Sequence, residues 1–160
     1  MIKVMFVCHG NICRSPMAEM ILKDMVRKRG LAQDFLIASS ATSTEEICGG
    51  RGNPVYPPAR AVLAQHGIPC EQHHAVQLRR SDYEAYDWIL CMDRFNLRNI
   101  LRIIGSDPAH KVHQLLEFAA NTPLRDVADP WYSGDFETAY ADIMSGCEGF
   151  LQHLEQQGLF

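Results

Sequence analysis

Apolar positions follow two rhythms along the chain. Ile2 to Val7 is apolar or β-branched at nearly every position, which reads as a short strand buried on both faces, as in a parallel sheet. Phe35 to Ala41 reads as a second strand, and Trp88 to Met92 and Val112 to Leu116 are further short apolar runs. Near the C-terminus Phe136, Ala139, Tyr140, Ile143, Met144, Cys147, Phe150, Leu151 and Leu154 recur at steps of three, four or one. That period predicts an amphipathic helix packing its stripe on the sheet. Ser15 as N-cap, Pro16 in the first turn and Glu19 open a helix that runs to about Arg29 and ends at Gly30. Pro57-Pro58 opens another helix, which Gly67 ends in the C′ position, and Arg94 to Ile104 is helical. The stretch from Thr42 to Pro58, rich in Gly, Pro, Ser and Thr, is a long loop. Strands alternating with helices imply right-handed crossovers and an α/β fold. The expected architecture is a single-domain three-layer sandwich over residues 1–160: a doubly wound, four-stranded parallel sheet flanked by helices, with any ligand beyond the carboxyl ends of its strands.

Composition narrows the functional classes. A chain of 160 residues with 47% apolar content can bury one core without metals or covalent staples. The opening apolar run is too short to span a bilayer and no small-residue cleavage site follows it, so a cytoplasmic protein is expected. A formal charge of −4, with no long basic run, argues against nucleic acid and acidic membranes as partners. Six cysteines at irregular spacings, without an export signal, read as reduced thiols. No cysteine pair or Cys/His cluster has zinc spacing, and the His73-His74 doublet reads as surface or structural, so neither metal nor cofactor is expected.

The chemistry concentrates between the first strand and the first helix, in Cys8-His9-Gly10-Asn11-Ile12-Cys13-Arg14-Ser15. Gly10 carries no Cβ and Asn11 tolerates left-handed dihedrals, so the backbone can curl until successive N–H groups point inward as an anion nest. The following helix adds the positive end of its dipole. Arg14 can grip two phosphate oxygens with its planar guanidinium. Cys8, at the base of such a cradle, is surrounded by groups that favour thiolate over thiol and is poised for in-line attack on phosphorus. Ser15 can donate its hydroxyl to the sulfur as it departs. The segment lacks the Gly-Lys-Ser/Thr ending of a nucleotide-binding P-loop. A general acid is also required, and by spacing alone Asp126 and Asp129 compete for that role.

The segment Cys8 to Pro16, continuing into Met17-Ala18-Glu19, resembles the signature of the low-molecular-weight protein tyrosine phosphatase family, and the likeness extends over essentially the whole chain. The resemblance implies Cys8 as nucleophile, Arg14 as phosphate clamp, and Asn11 and Ser15 as organisers of the loop. His9, Gly10, Ile12 and Cys13 complete the implied substrate-binding segment. It implies Asp129, in Asp129-Pro130-Trp131-Tyr132, as general acid and then base, with Trp131 and Tyr132 as an aromatic wall favouring phosphotyrosine. His73, Asp87 and Asn96 are implied as supporting residues that brace the loop and its asparagine. Cys13 matches a second cysteine that protects the nucleophile through a reversible disulfide. Substrates would be phosphotyrosine proteins or aryl phosphates, the product inorganic phosphate, and the state a monomer or weak homodimer.

The chain departs from the family pattern at His9, which stands where leucine is common, at Trp131 in place of a frequent tyrosine, and in the loop Ser40 to Gly52, which lacks a pocket-wall aromatic. Three rival readings stand beside the phosphatase. A thioredoxin-linked arsenate reductase on the same fold usually has glutamine where Pro16 stands. A phosphoarginine phosphatase tends to have threonine where Ile12 stands. A noncatalytic phosphate-binding module has no need of both Cys8 and Asp129.

Overall fold

A computed structural model describes residues 1–120 and 122–160. In chain order the elements are β1 (Ile2–Cys8), α1 (Arg14–Lys28), β2 (Phe35–Ala41), β3 (Ile47–Cys48), β4 (Arg51–Gly52), α2 (Pro57–Gln65), α3 (Asp82–Ala85), β5 (Trp88–Cys91), α4 (Arg94–Ile104), β6 (Val112–Gln114), α5 (Pro130–Ser133) and α6 (Phe136–Gln156). Four strands form one parallel sheet in the order β2-β1-β5-β6, and β3 and β4 form a small separate hairpin. The expected doubly wound, four-stranded α/β architecture is what the structure has.

Strand alternation divides β1 between two cores. Val4, Phe6 and Cys8 face a cluster with Met17 and Ile21 of α1, Val62 and Leu63 of α2, and Ile143 and Phe150 of α6. Met5 and Val7 face the opposite side, with Leu78, Tyr83 of α3 and Ile100 and Ile104 of α4. Leu90 and Ile89 of β5 divide the same way. A fully buried Phe6 or Phe150 contributes about 1.5–3 kcal/mol relative to exposure. The stripe of α6 packs most closely on α1, α2 and the turn after β6, and through Phe150 it reaches Trp88 of β5 at 5.4 Å between ring centroids. No described helix is long and apolar enough to cross a membrane.

Two local expectations change. The first helix begins at Arg14, with Cys13 as a cap that makes no side-chain bond, so Ser15 is not the N-cap. The run from Val112 pairs with β5 only to Gln114, and Leu115–Glu117 then form a 3-10 turn. The chain runs from β1 to β2 on one side and returns to β5 on the other, so the loops leaving β1 and β5 face each other at the carboxyl ends. That is the switch point where open α/β sheets bind ligands.

Candidate active site

Cys8 closes β1, and the loop after it turns on Asn11, whose φ of 59° lies in the left-handed region. The Cys8 sulfur accepts from the amides of Asn11 at 3.3 Å and Ser15 at 3.4 Å, and lies 3.0 Å from the Ser15 hydroxyl. A sulfur among N–H donors at a helix start is an electropositive seat for negative charge.

Asn11 is fully buried and holds the curl through four hydrogen bonds. Its Nδ2 donates to Ser15 Oγ at 2.8 Å and Ser39 Oγ at 3.0 Å. Its Oδ1 accepts from Val76 N at 3.0 Å and from His73 Nε2 at 2.9 Å. Burial pushes the His73 imidazole below its ordinary pKa, with Glu19 opposing, so the ring sits as a neutral donor. Ser39 passes the network on to the buried Glu19 at 2.6 Å, and Lys23 pairs with Glu19 at 2.7 Å.

Arg14 is 2% exposed at the start of α1. Its Nη1 donates to Asp93 Oδ2 and to the Val127 carbonyl, both at 2.8 Å, and its Nη2 lies 3.4 Å from Asp129 Oδ2. Burial alone would lower the pKa of the guanidinium, but Cys8, Asp129 and Asp93 outweigh it and raise the value, so the cation is secure. The loop leaving β5 thus grips the loop leaving β1. Asp93 can do this because its other oxygen caps α4 by accepting from Asn96 N at 2.7 Å, in a capping box that Asn96 completes. Asn96 therefore acts on the site through Asp93, not by touching the loop.

The two aspartates that spacing leaves open have different surroundings. Asp126 is occupied by Arg94 N at 3.1 Å and Gln114 Nε2 at 3.0 Å. Asp129 lines the pocket, and its Oδ1 accepts from Trp131 N at 3.0 Å as the cap of α5. Trp131 is half exposed, and its ring lies 4.8 Å from that of Tyr56. Together with Tyr132 it forms one wall of a cavity of about 100 Å³ with Cys8 and Arg14 among its lining. His9, Gly10, Ile12 and Cys13 line the same cavity. Burial, with the Cys8 charge second, pushes the Cys13 thiol up to about 12, so it rests protonated.

Asp87 is the exception among the expected residues. Its carboxylate accepts from Lys3 N at 2.8 Å, at the opposite end of β1 from Cys8, so the expectation that it braces the loop is corrected. Roughly five residues of strand, at about 3.3 Å each, separate the two positions. Sequence reasoning missed Asp93, Ser39, Tyr56 and the carboxylates Glu45 and Glu46, the last two of which line the cavity. Asp93 carried a signal, a helix cap with an oxygen to spare, but its partner lies far away in sequence.

The geometry thus places a thiol sulfur on amide donors, a fixed guanidinium and a carboxylate on one narrow cavity. The profile of the family described as low molecular weight phosphotyrosine protein phosphatase matches residues 3–159. The chain is 34% identical over 98% of both chains to a low molecular weight protein-tyrosine-phosphatase of Bacillus subtilis. It is 36% identical to the human low molecular weight phosphotyrosine protein phosphatase, covering 93% of each chain. The solved structure of the Bacillus subtilis protein superposes with a TM-score of 0.91, covering 98% of this chain and 96% of that one. A Drosophila arginine phosphatase superposes with a TM-score of 0.82 at 33% identity, covering 95% of this chain and 97% of the other. On the profile match, the identity over nearly the full length and the shared fold, the chain belongs to the low molecular weight phosphotyrosine protein phosphatase family.

Proposed function

We propose that the protein hydrolyses phosphotyrosine-type monoesters through a phosphocysteine on Cys8. The Cys8 thiolate attacks phosphorus in line, the bond from phosphorus to the aryl oxygen breaks, and Asp129 in its acid form gives its proton to the leaving oxygen. The loop amides and Arg14 stabilise charge on the equatorial oxygens as it spreads in the transition state. In the second step water attacks the phosphocysteine and Asp129, now a carboxylate, takes the water's proton. The phosphorus–sulfur bond breaks with its electrons on sulfur, the Ser15 hydroxyl stabilises the departing thiolate, and inorganic phosphate is released.

The observation that carries the reading is the Cys8 sulfur on two amides and a hydroxyl, with the guanidinium of the adjoining helix start held in place by Asp93 and Val127. Ile12, buried against Cys13 and Ala75, offers methyl groups and no acceptor to a guanidinium, which favours an aryl ester over phosphoarginine. Trp131 and Tyr132 supply the wall for the aryl ring, so Trp131→Ala is expected to reduce selectivity for aryl over alkyl phosphates.

The test compares wild type, Cys8→Ser and Asp129→Asn on a phosphotyrosine peptide, with phosphoarginine alongside. Cys8→Ser should lose nearly all turnover, and Asp129→Asn about 10²- to 10⁴-fold, because asparagine can keep the α5 cap but has no proton to transfer. Rapid acid quench should trap phosphate on wild-type sulfur. Turnover surviving in Cys8→Ser would exclude the covalent route, and preference for phosphoarginine would exclude the substrate assignment.

A further inference from the structure

We infer that the mouth of this pocket selects phosphotyrosine sites flanked by basic residues, with Glu45 and Glu46 as the selecting groups; the inference rests on the phosphatase reading above. Among the described residues the fixed charges lining the cavity are Arg14, Asp129, Glu45 and Glu46. Arg14 is buried at the loop and already shared between Asp93 and Asp129. The aromatic lining residues Trp131 and Tyr132 are uncharged, and among the described lining residues no lysine or further arginine balances the two glutamates.

Both carboxylates line the cavity and have partners in its loops. Glu46 Oε2 accepts from Asn53 Nδ2 at 2.7 Å. Its Cγ lies over the phosphate-binding loop, where a Cβ added to Gly10 would come within 3.2 Å of it. Glu45, with 70% of its side chain exposed, reaches His9 Nε2 at 3.1 Å, a partner that balances its charge only when protonated. A bare dianion entering between these groups is repelled before it reaches Arg14. A phosphotyrosine ring held against Trp131 leaves its peptide backbone at the rim, beside the 85% exposed Tyr132. A flanking lysine or arginine then meets the glutamates, and its long, mobile side chain turns the repulsion into attraction.

The magnitude follows from exposed ion pairs, which are worth about 1.4- to 5-fold each. With two carboxylates, and attraction replaced by repulsion when the flank changes sign, the spread between basic and acidic flanks is expected at about tenfold or more. The experiment uses three phosphotyrosine peptides that differ only in having Lys, Ala or Glu beside the phosphotyrosine. The kcat/KM values of wild type and of the double variant Glu45→Gln, Glu46→Gln are measured at low ionic strength and at about 0.5 M NaCl, where surface charge is screened. The amide oxygen that Glu46→Gln introduces can still accept from Asn53, so the loop stays seated.

Wild type should rank Lys above Ala above Glu, with the Lys-to-Glu ratio falling to within about twofold in the double variant and shrinking in salt. A flat wild-type ranking, or a ratio that the double variant leaves unchanged, overturns the inference. If no peptide is hydrolysed, the phosphatase reading fails by itself. Affinities of Cys8→Ser for the same three peptides, measured by titration, then decide the mouth separately by the same ranking.

Discussion

Replacing Asn11 by alanine removes four hydrogen bonds and puts a Cβ-bearing residue with no local polar partner at a φ of 59°. The two serine hydroxyls keep other partners, Cys8 and Glu19, so the lost donations to them cost about 0.5–1.5 kcal/mol each. The Val76 amide and the His73 ring lose their acceptor, at about 1–3 kcal/mol each. Alanine in the left-handed region adds about 1 kcal/mol. The sum is roughly 4–10 kcal/mol, a large part of the ~5–15 kcal/mol that a domain possesses. At about 2–4 °C per kcal/mol, Tm should fall by roughly 8–40 °C. Asn11→Gly loses the same bonds but restores the left-handed backbone, so it should unfold above Asn11→Ala. Both should lower kcat/KM, because the Asn11 amide no longer has a fixed direction toward the Cys8 sulfur. Urea unfolding followed by Trp fluorescence measures the two variants together. A loss below about 1 kcal/mol in Asn11→Ala, or alanine outlasting glycine, would refute the claim that this side chain stores the shape of the loop.

Asp93→Ala leaves the buried Arg14 without its closest charge partner, so stability should drop by about 3–5 kcal/mol and phosphate binding should weaken. Asp126→Ala should cost stability with little change in phosphate affinity, and isothermal titration with phosphate separates the two. Stability should also fall in alkali. Burial raises the Cys13, Cys91 and Cys147 thiols above their ordinary value of 9.0, so above that pH the unfolded chain sheds protons that the folded chain keeps. Each thiol then withdraws about 1.4 kcal/mol per pH unit up to its folded value. Urea midpoints should be level below about pH 9 and drop steeply toward about pH 11, less steeply in Cys147→Ala; a level curve would count against it. Under peroxide, Cys13→Ser should recover much less activity with dithiol than wild type does; equal recovery in an activity assay would reject a protective disulfide.

The features legible in the sequence are those whose signal is local. Phe35–Ala41 and Arg94–Ile104 emerge with the bounds expected of them, because a buried parallel strand and a capped helix each write their period into consecutive residues. The loop from Cys8 to Ser15 is legible for the same reason. The start of α1 is misplaced because Ser15-Pro16 looks like a cap and first turn, whereas the hydroxyl is directed at sulfur and the helix begins one residue earlier. Asp93 and Asp87 show the limit. An acidic residue before a helix or strand reads the same wherever its free oxygen points, and only the fold brings Asp93 to Arg14 and Asp87 to Lys3. The glutamates of the mouth lie in a loop whose sequence says what it lacks, not which cavity it faces.

Arg14 reaches its place through an aspartate after β5 and a carbonyl ahead of α5, and Asn11 through a serine in β2 and a histidine beyond α2. A grafted copy of the nine residues from Cys8 to Pro16 would arrive in a foreign scaffold without these anchors. It would carry the sulfur and the cation but not the instructions for facing them toward one another. Transplanting this catalyst therefore means moving the junction of two crossovers, not a peptide.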